Sequence, residues 1–183
     1  MKPVSHPLLL ALTIGILAPS VQAENYVGLN IGRSQQKYNS NFKLDDTEPS
    51  WKLYGGYRFN RHFGFEAGFV AHGDAYERWP EGWTKLKTSS IYAVGTATLP
   101  LSEQFSLTAK LGVTDNRTKF TTHSWGSTGT FAHTHGMAGI GASYKFAPSL
   151  AGVVEYEHFA KVYRGYGGQS IKANTLSIGV RKS

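Results

Sequence analysis

The side chains with the clearest capacity for chemistry are ionised residues spaced along alternating runs: Lys52, Arg58, Glu66, Lys110, Glu155 and Glu157. Glu66, Lys110 and Glu155 each stand about four to six residues from a tight turn, so at about 3.4 Å per residue they share one depth. Arg58 is diagonal to Glu66 across a hairpin, within reach of long side chains. Opposite charges at one level form ion pairs. If enclosed, they either gate a narrow ion path or plug the space by satisfying one another.

Two further groups are candidates. His123, His133 and His135 have a spacing that offers imidazoles to Zn²⁺ or Cu²⁺, because residues two apart share a strand face. No Cys and no close carboxylate completes such a site, so no metal and no cofactor is assigned. The long polar connections carry Tyr76, Trp79, Trp83, Trp125, Phe131, Tyr163 and Tyr166 with Lys85, Lys87, Lys119 and Arg164. Aromatic and basic residues together suit lipopolysaccharide or a host surface, and equally suit an interfacial girdle with ordinary loop residues around it.

These groups must be held by strands. WKLYGGYRFNRHFGFEAGFVAH, from Trp51 to His72, reads by parity as two strands about Asn60–His62. Trp51, Leu53, Tyr57 and Phe59, then Phe63, Phe65, Ala67 and Phe69, share one face. Lys52, Tyr54, Gly56 and Arg58, then Gly64, Glu66 and Gly68, share the other. The same alternation recurs over Tyr26–Ser34, Ser90–Leu99, Phe105–Val113, Met137–Phe146, Leu150–Lys161 and Thr175–Arg181, which makes eight segments.

The connections alternate as well. Asn60–His62, Pro100–Gln104 and Ala147–Ser149 are tight, whereas Gln35–Ser50, Gly73–Lys87, Asp115–His135 and Val162–Asn174 are long and polar. Short turns at one rim, long loops at the other and an even strand number describe an outer-membrane barrel. A soluble barrel alternates too, so the second face decides. It is dominated by Gly, Ser and Thr, as the interior of a narrow barrel requires. A basic residue turned to lipid costs about 2–4 kcal/mol at the midplane. Lys52, Arg58, Glu66, Lys110, Lys145, Glu155, Glu157 and Arg181 are therefore expected inside. Arg33, Lys87, His158 and Lys172 have outward parity near the loop rim, where long side chains snorkel. Tyr57, Phe59, Phe63, Tyr144 and Phe146 would form a girdle beside the short turns.

Residues 1–23 read as a cleaved signal peptide: Lys2, an apolar stretch from Leu8 to Ala18, and Val21-Gln22-Ala23 as the cleavage site. Residues 24–183 remain as one domain, and loss of Lys2 lowers the net charge from +7 to +6. A basic exported chain points to anionic partners such as lipid phosphates and away from nucleic acid. Without Cys, the exported fold stands without disulfides.

The runs YVGLNIGRSQ, YGGYRFNRHFGFEAGF, LTAKLGV and GMAGIGASYKFAPSL…VVEYE resemble the eight-stranded transmembrane domain of outer-membrane protein A and its small relatives. The resemblance covers Asn25–Arg181. It implies that Glu66, Lys110 and Glu155 fall on positions that form interior ion pairs in that family. Thr96 stands where the family has another interior lysine. The terminal VRKS lacks the usual aromatic, so an atypical signal to the outer-membrane assembly machinery is expected. No peptidoglycan-binding domain follows, so wall anchoring does not carry over. His158-Phe159-Ala160 resembles the His-x-Ser segment of outer-membrane lipid A deacylases, but Ala160 replaces the nucleophile that the His would activate.

The expectation is an all-β, eight-stranded, antiparallel up-and-down transmembrane barrel in the outer membrane. Both termini would be periplasmic. Its role would be structural or surface-interacting rather than enzymatic, with loops meeting outer-membrane lipids, lipopolysaccharide or a host ligand. The alternative is a low-conductance channel gated by the interior ion pairs.

Overall fold

In the computed structural model, residues 23–38, 45–79, 82–122, 128–164 and 170–183 are described. The residues of the signal segment before Ala23 lie outside them. Eight strands follow one another: β1 (Glu24–Tyr38), β2 (Asp45–Arg58), β3 (Phe63–Trp79), β4 (Gly82–Pro100), β5 (Phe105–Thr122), β6 (Thr128–Ala147), β7 (Leu150–Arg164) and β8 (Ser170–Lys182). Each pairs antiparallel with its neighbour, and β8 pairs with β1 to close the barrel. Closure gives every strand two partners over the apolar band and leaves no edge there, which is what lipid demands of a spanning sheet.

The alternation sorts the two faces residue by residue. Leu111 is 73% exposed and its neighbour Lys110 only 4%; Leu53 is 55% exposed and Lys52 only 1%. Register carries the apolar face around the wall: Leu29 lies opposite Leu53, Leu53 opposite Phe69, and Phe69 opposite Ile91. Phe59, Phe63, Tyr144 and Phe146 are all exposed at the short-turn end, with Tyr57 half-buried among them. The Tyr57 and Phe59 rings meet edge to face at 5.5 Å. Inside, Tyr26, Tyr54, Tyr92, Val70, Met137 and Phe159 form a packed cluster. Eight strands leave room for little more than such side chains.

The strands run further than hydrophobic alternation reveals. The stretches expected as loops, Gln35–Ser50, Gly73–Lys87, Asp115–His135 and Val162–Asn174, are strand over most of their length. Beyond the apolar band the outward residues turn polar while the inward ones, such as Thr88, Asn116 and Thr118, are buried polar groups, so period-two hydrophobicity fades while the ladders continue. β4 and β5, for example, stay in register from Pro100↔Ser106 out to Thr84↔Thr122. The β2–β3 ladder is interrupted, its last pair being Trp51↔Ala71. Just beyond, β3 shifts register between Ala71 and Asp74, around Gly73 with φ +86°. That left-handed backbone suits glycine, and a Cβ there would also stand 2.7 Å from the Pro49 carbonyl.

One enclosed-face assignment is corrected. Lys145 is exposed, at the short-turn rim where the β6–β7 register shifts between Lys145 and Ala147. The bulge and the barrel mouth give its ammonium access to water.

Candidate functional site

Three levels of polar side chains occupy the lumen. The middle level is an ion cluster. Lys110, from β5, lies 2.6 Å from Glu66 of β3 and 2.5 Å from Glu155 of β7, with Glu157 at 3.5 Å. Lys52, from β2, pairs with Glu155 and lies 2.8 Å from Glu157. All five side chains are at most 3% exposed. Alternation delivers them inward, and small neighbours leave them space. Gly139 and Gly141, on β6, lie opposite Glu157 and Glu155, whose Cγ atoms would stand 3.1 and 2.9 Å from an added Cβ.

Neutral donors complete the layer. Glu66 accepts from the hydroxyls of Tyr92 at 2.7 Å and Tyr26 at 3.1 Å, and Glu155 accepts from the Asn30 amide at 2.9 Å. Oε2 of Glu157 is buried without a partner. Carboxylate oxygens of Glu66, Glu155 and Glu157 lie within 4.8 Å of one another, the spacing of a metal site. Two ammonium groups already thread between them, so the cluster is an ion-pair lattice of three carboxylates and two lysines. Such a layer spans the bore and ties non-adjacent strands across it.

Arg58, expected near Glu66, is elsewhere. It sits at the short-turn mouth and pairs with Glu24 at 2.8 Å. Its register partner on β3 is Gly64, while Glu66 lies opposite Gly56. The lattice above engages Glu66 from Lys110, so Arg58 turns toward β1 instead.

A further level, between the charge layer and the long-ribbon end, is built around His72. This side chain is fully buried and meets the Phe159 ring edge to face at 4.7 Å. The Ser90 hydroxyl donates to Asn116 Oδ1 at 2.5 Å, so Nε2–H of His72 donates to Ser90 at 2.7 Å. Thr175 donates to Ser34, and Ser34 donates to Nδ1 of His72 at 3.0 Å. The chain of bonds crosses from β8 to β5. Sequence reasoning passed over His72 because it treated the strand as ending there. Extending the parity of Glu66, Gly68 and Val70 by one step would have placed it inside.

The remaining candidates separate. Tyr76 and Trp79 belong to β3, Trp83 to β4, Lys119 to β5 and Arg164 to β7, so these are ribbon rather than loop positions; Lys119 is exposed, and Trp125 lies outside the described residues. Among the loop histidines, His123 lies outside the described residues. His133 and His135 are half-buried on β6 with rings 6.1 Å apart. His158 pairs through Nδ1 with Asn174 at 2.7 Å.

On the outer face, basic residues gather just beyond the apolar band. Lys87 of β4 lies opposite Lys119 of β5, and Ser89 lies opposite Arg117. On β4 the band begins one step below Ser89 with Ile91, whereas on β5 Asp115 stands between Arg117 and Val113. Lys87, Lys119 and Arg117 are all exposed, and Arg117 is bonded to Asp115 at 3.4 Å. Around the barrel, Arg33 and Lys172 are exposed at the same end.

Comparison with known proteins agrees with this geometry. Neisserial surface protein A superposes with a TM-score of 0.69 at 20% identity, over 87% of this chain and 97% of that one. The attachment invasion locus protein Ail of Yersinia pestis, in complex with the heparin analogue sucrose octasulfate, gives 0.58 at 21% identity, over 86% and 99%. The N-terminal barrel of Pseudomonas aeruginosa OprF gives 0.54 at 12% identity, over 87% and 99%. No curated protein sequence matches the chain. The family model of the outer membrane protein beta-barrel domain matches residues 7–181. With alternation, closure and an enclosed charge layer all in place, the chain belongs to the outer membrane β-barrel protein family.

Proposed function

We propose that this outer-membrane barrel is a surface-interaction protein whose outward ribbons hold anionic groups, first of all the phosphates of lipopolysaccharide. The observation that carries this reading is the Lys87–Lys119 pair with Arg117 beside it. Like charges directly opposite on neighbouring strands repel; Asp74 of β3, opposite Lys87 on its other side, offsets part of that repulsion, and a bound polyanion would offset more of it. Their place two same-face steps above Ile91 on β4 and three above Val113 on β5 is taken as the level of the lipid headgroups. Each basic residue at such a surface contributes about 1 kcal/mol toward anionic lipid. The complex of the Ail barrel with a sulfated sugar supports a polyanion as the partner class.

In this reading the short turns and both termini lie in the periplasm, after removal of residues 1–23 and insertion by the outer-membrane assembly machinery. The lumen serves as a rigid plug, supported by the buried ion lattice and the packed tyrosines.

The test is lipopolysaccharide binding by the barrel in nanodiscs, for the wild type and for Lys87→Gln combined with Lys119→Gln. The loss of two contacts should weaken binding by about tenfold or more and flatten its salt dependence. Undiminished binding overturns the proposal. Loss of heparin retention without loss of lipopolysaccharide binding would move the partner to an external sulfated glycan.

A further inference from the structure

Between the ion lattice and the short turns the lumen changes character. Arg58 of β2 and Arg181 of β8 project into it, while the wall formed by β4 to β6 is lined by small hydroxyl side chains such as Thr96, Ser106 and Ser143. Both guanidiniums lie against the ring of Tyr26, at 5.4 and 5.2 Å from its centroid. Arg58 is answered by Glu24. Arg181 has no carboxylate within salt-bridge distance among the described residues. It is 8% exposed, donates from Nη2 to Ser143 at 3.2 Å, and keeps a buried Nε without an acceptor.

A buried cation lacking an anion is costly, because desolvation is not offset by a partner. The surplus carboxylate of the ion lattice offsets part of the charge at a distance. It supplies no oxygen to Nε, because Tyr26 stands between, its hydroxyl turned to Glu66. What the guanidinium lacks is an acceptor with the fork geometry of an oxyanion. Access exists from the short-turn rim, where Arg58 is 21% exposed and Ser106 and Thr108 are half-buried.

We propose that the short-turn mouth of the lumen is a binding site for a small oxyanion of phosphate size. Arg181 and Arg58 clasp it, and Ser143 takes part. Glu24, itself 36% exposed, competes for Arg58 as an internal carboxylate. This site is separate from the outer basic surface, and neither proposal rests on the other.

The test is ¹⁵N NMR of the arginine Nε–Hε signals of the intact barrel in micelles, titrated with sodium phosphate. Sodium chloride at matched ionic strength is the control. The Arg181 signal should shift saturably with phosphate alone. Glu24→Gln should tighten binding several-fold by removing the competitor, and Arg58→Gln should weaken it by about tenfold or more. A shift that is linear, that chloride reproduces, or that Arg58→Gln leaves unchanged overturns the site. Arg58 is used because it is the more exposed guanidinium, so its loss spares the barrel where Arg181→Gln would strain it.

Discussion

The ammonium of Lys52 on β2 lies 2.8 Å from Oε1 of Glu157 on β7, although β1 and β8 separate the two strands around the wall. The pair is a tie across the bore. It belongs to a lattice in which carboxylates outnumber ammonium groups, and the two partners are therefore not equivalent. Removing Lys52 leaves three buried carboxylates facing Lys110 alone. Lys52→Met should cost about 3–5 kcal/mol, as breaking a buried pair does. Glu157→Gln instead balances the charges, in a group whose Oε2 has no partner, and should cost far less. Urea unfolding in lipid, followed by heat-dependent gel mobility, checks the asymmetry. Equal losses would contradict it.

His72 fixes the level nearer the long ribbons by bridging Ser34 and Ser90. His72→Ala removes a ring packed on Phe159 and strands hydroxyls from β1 and β4, with an expected loss of about 2–5 kcal/mol. His72→Gln, which keeps a donor and an acceptor, should recover part of it. The same unfolding assay distinguishes them, and a fully neutral alanine variant would show the bridge to be dispensable.

Two glycines separate the faces of the wall. A Cβ on Gly179 would stand 2.1 Å from the Leu29 carbonyl oxygen, so the β1–β8 ladder would have to move. A Cβ on Gly136 would meet nothing within 4 Å. Gly179→Ala should destabilise by about 1–3 kcal/mol or prevent insertion, whereas Gly136→Ala should stay within about 0.5 kcal/mol. Yield of the heat-modifiable folded form is the readout.

The ion lattice also bears on conduction. Recordings in planar bilayers should show no steady steps for the wild type, since Tyr54, Tyr92, Lys52 and Lys110 are nearly fully buried across the bore. Wild-type steps that Glu66→Ala or Lys110→Ala alters would replace the plug with a gated ion path.

Much of this was legible in the sequence, and for a physical reason. Lipid on one side and a narrow bore on the other impose opposite demands on successive residues, so Leu53 beside Lys52, or Leu111 beside Lys110, declares both faces at once. The tight turns and the strand number follow from the same pattern. The hydrophobic alternation goes silent where polar side chains occupy both faces, buried inward as at His72 and Thr118 and exposed outward as at Lys119, which is why the ribbons around Tyr76, Trp83 and Lys119 read as loops and why His72 was missed.

Partner choice inside the bore was not legible. Parity put Arg58, Glu66, Lys110 and Glu155 within the wall, but did not set their partners: Glu24 lies directly opposite Arg58 on β1, whereas Glu66 is two residues from its β3 partner Gly64, and Lys110 and Glu155 meet only across the bore. Within the apolar band the sequence alone settled which side chains are enclosed, because the pleat decides burial locally; it failed at the rim, with Lys145, and beyond the band, with His72. Closure of β8 on β1 decided which charges meet, because distance across the bore is a property of the whole barrel.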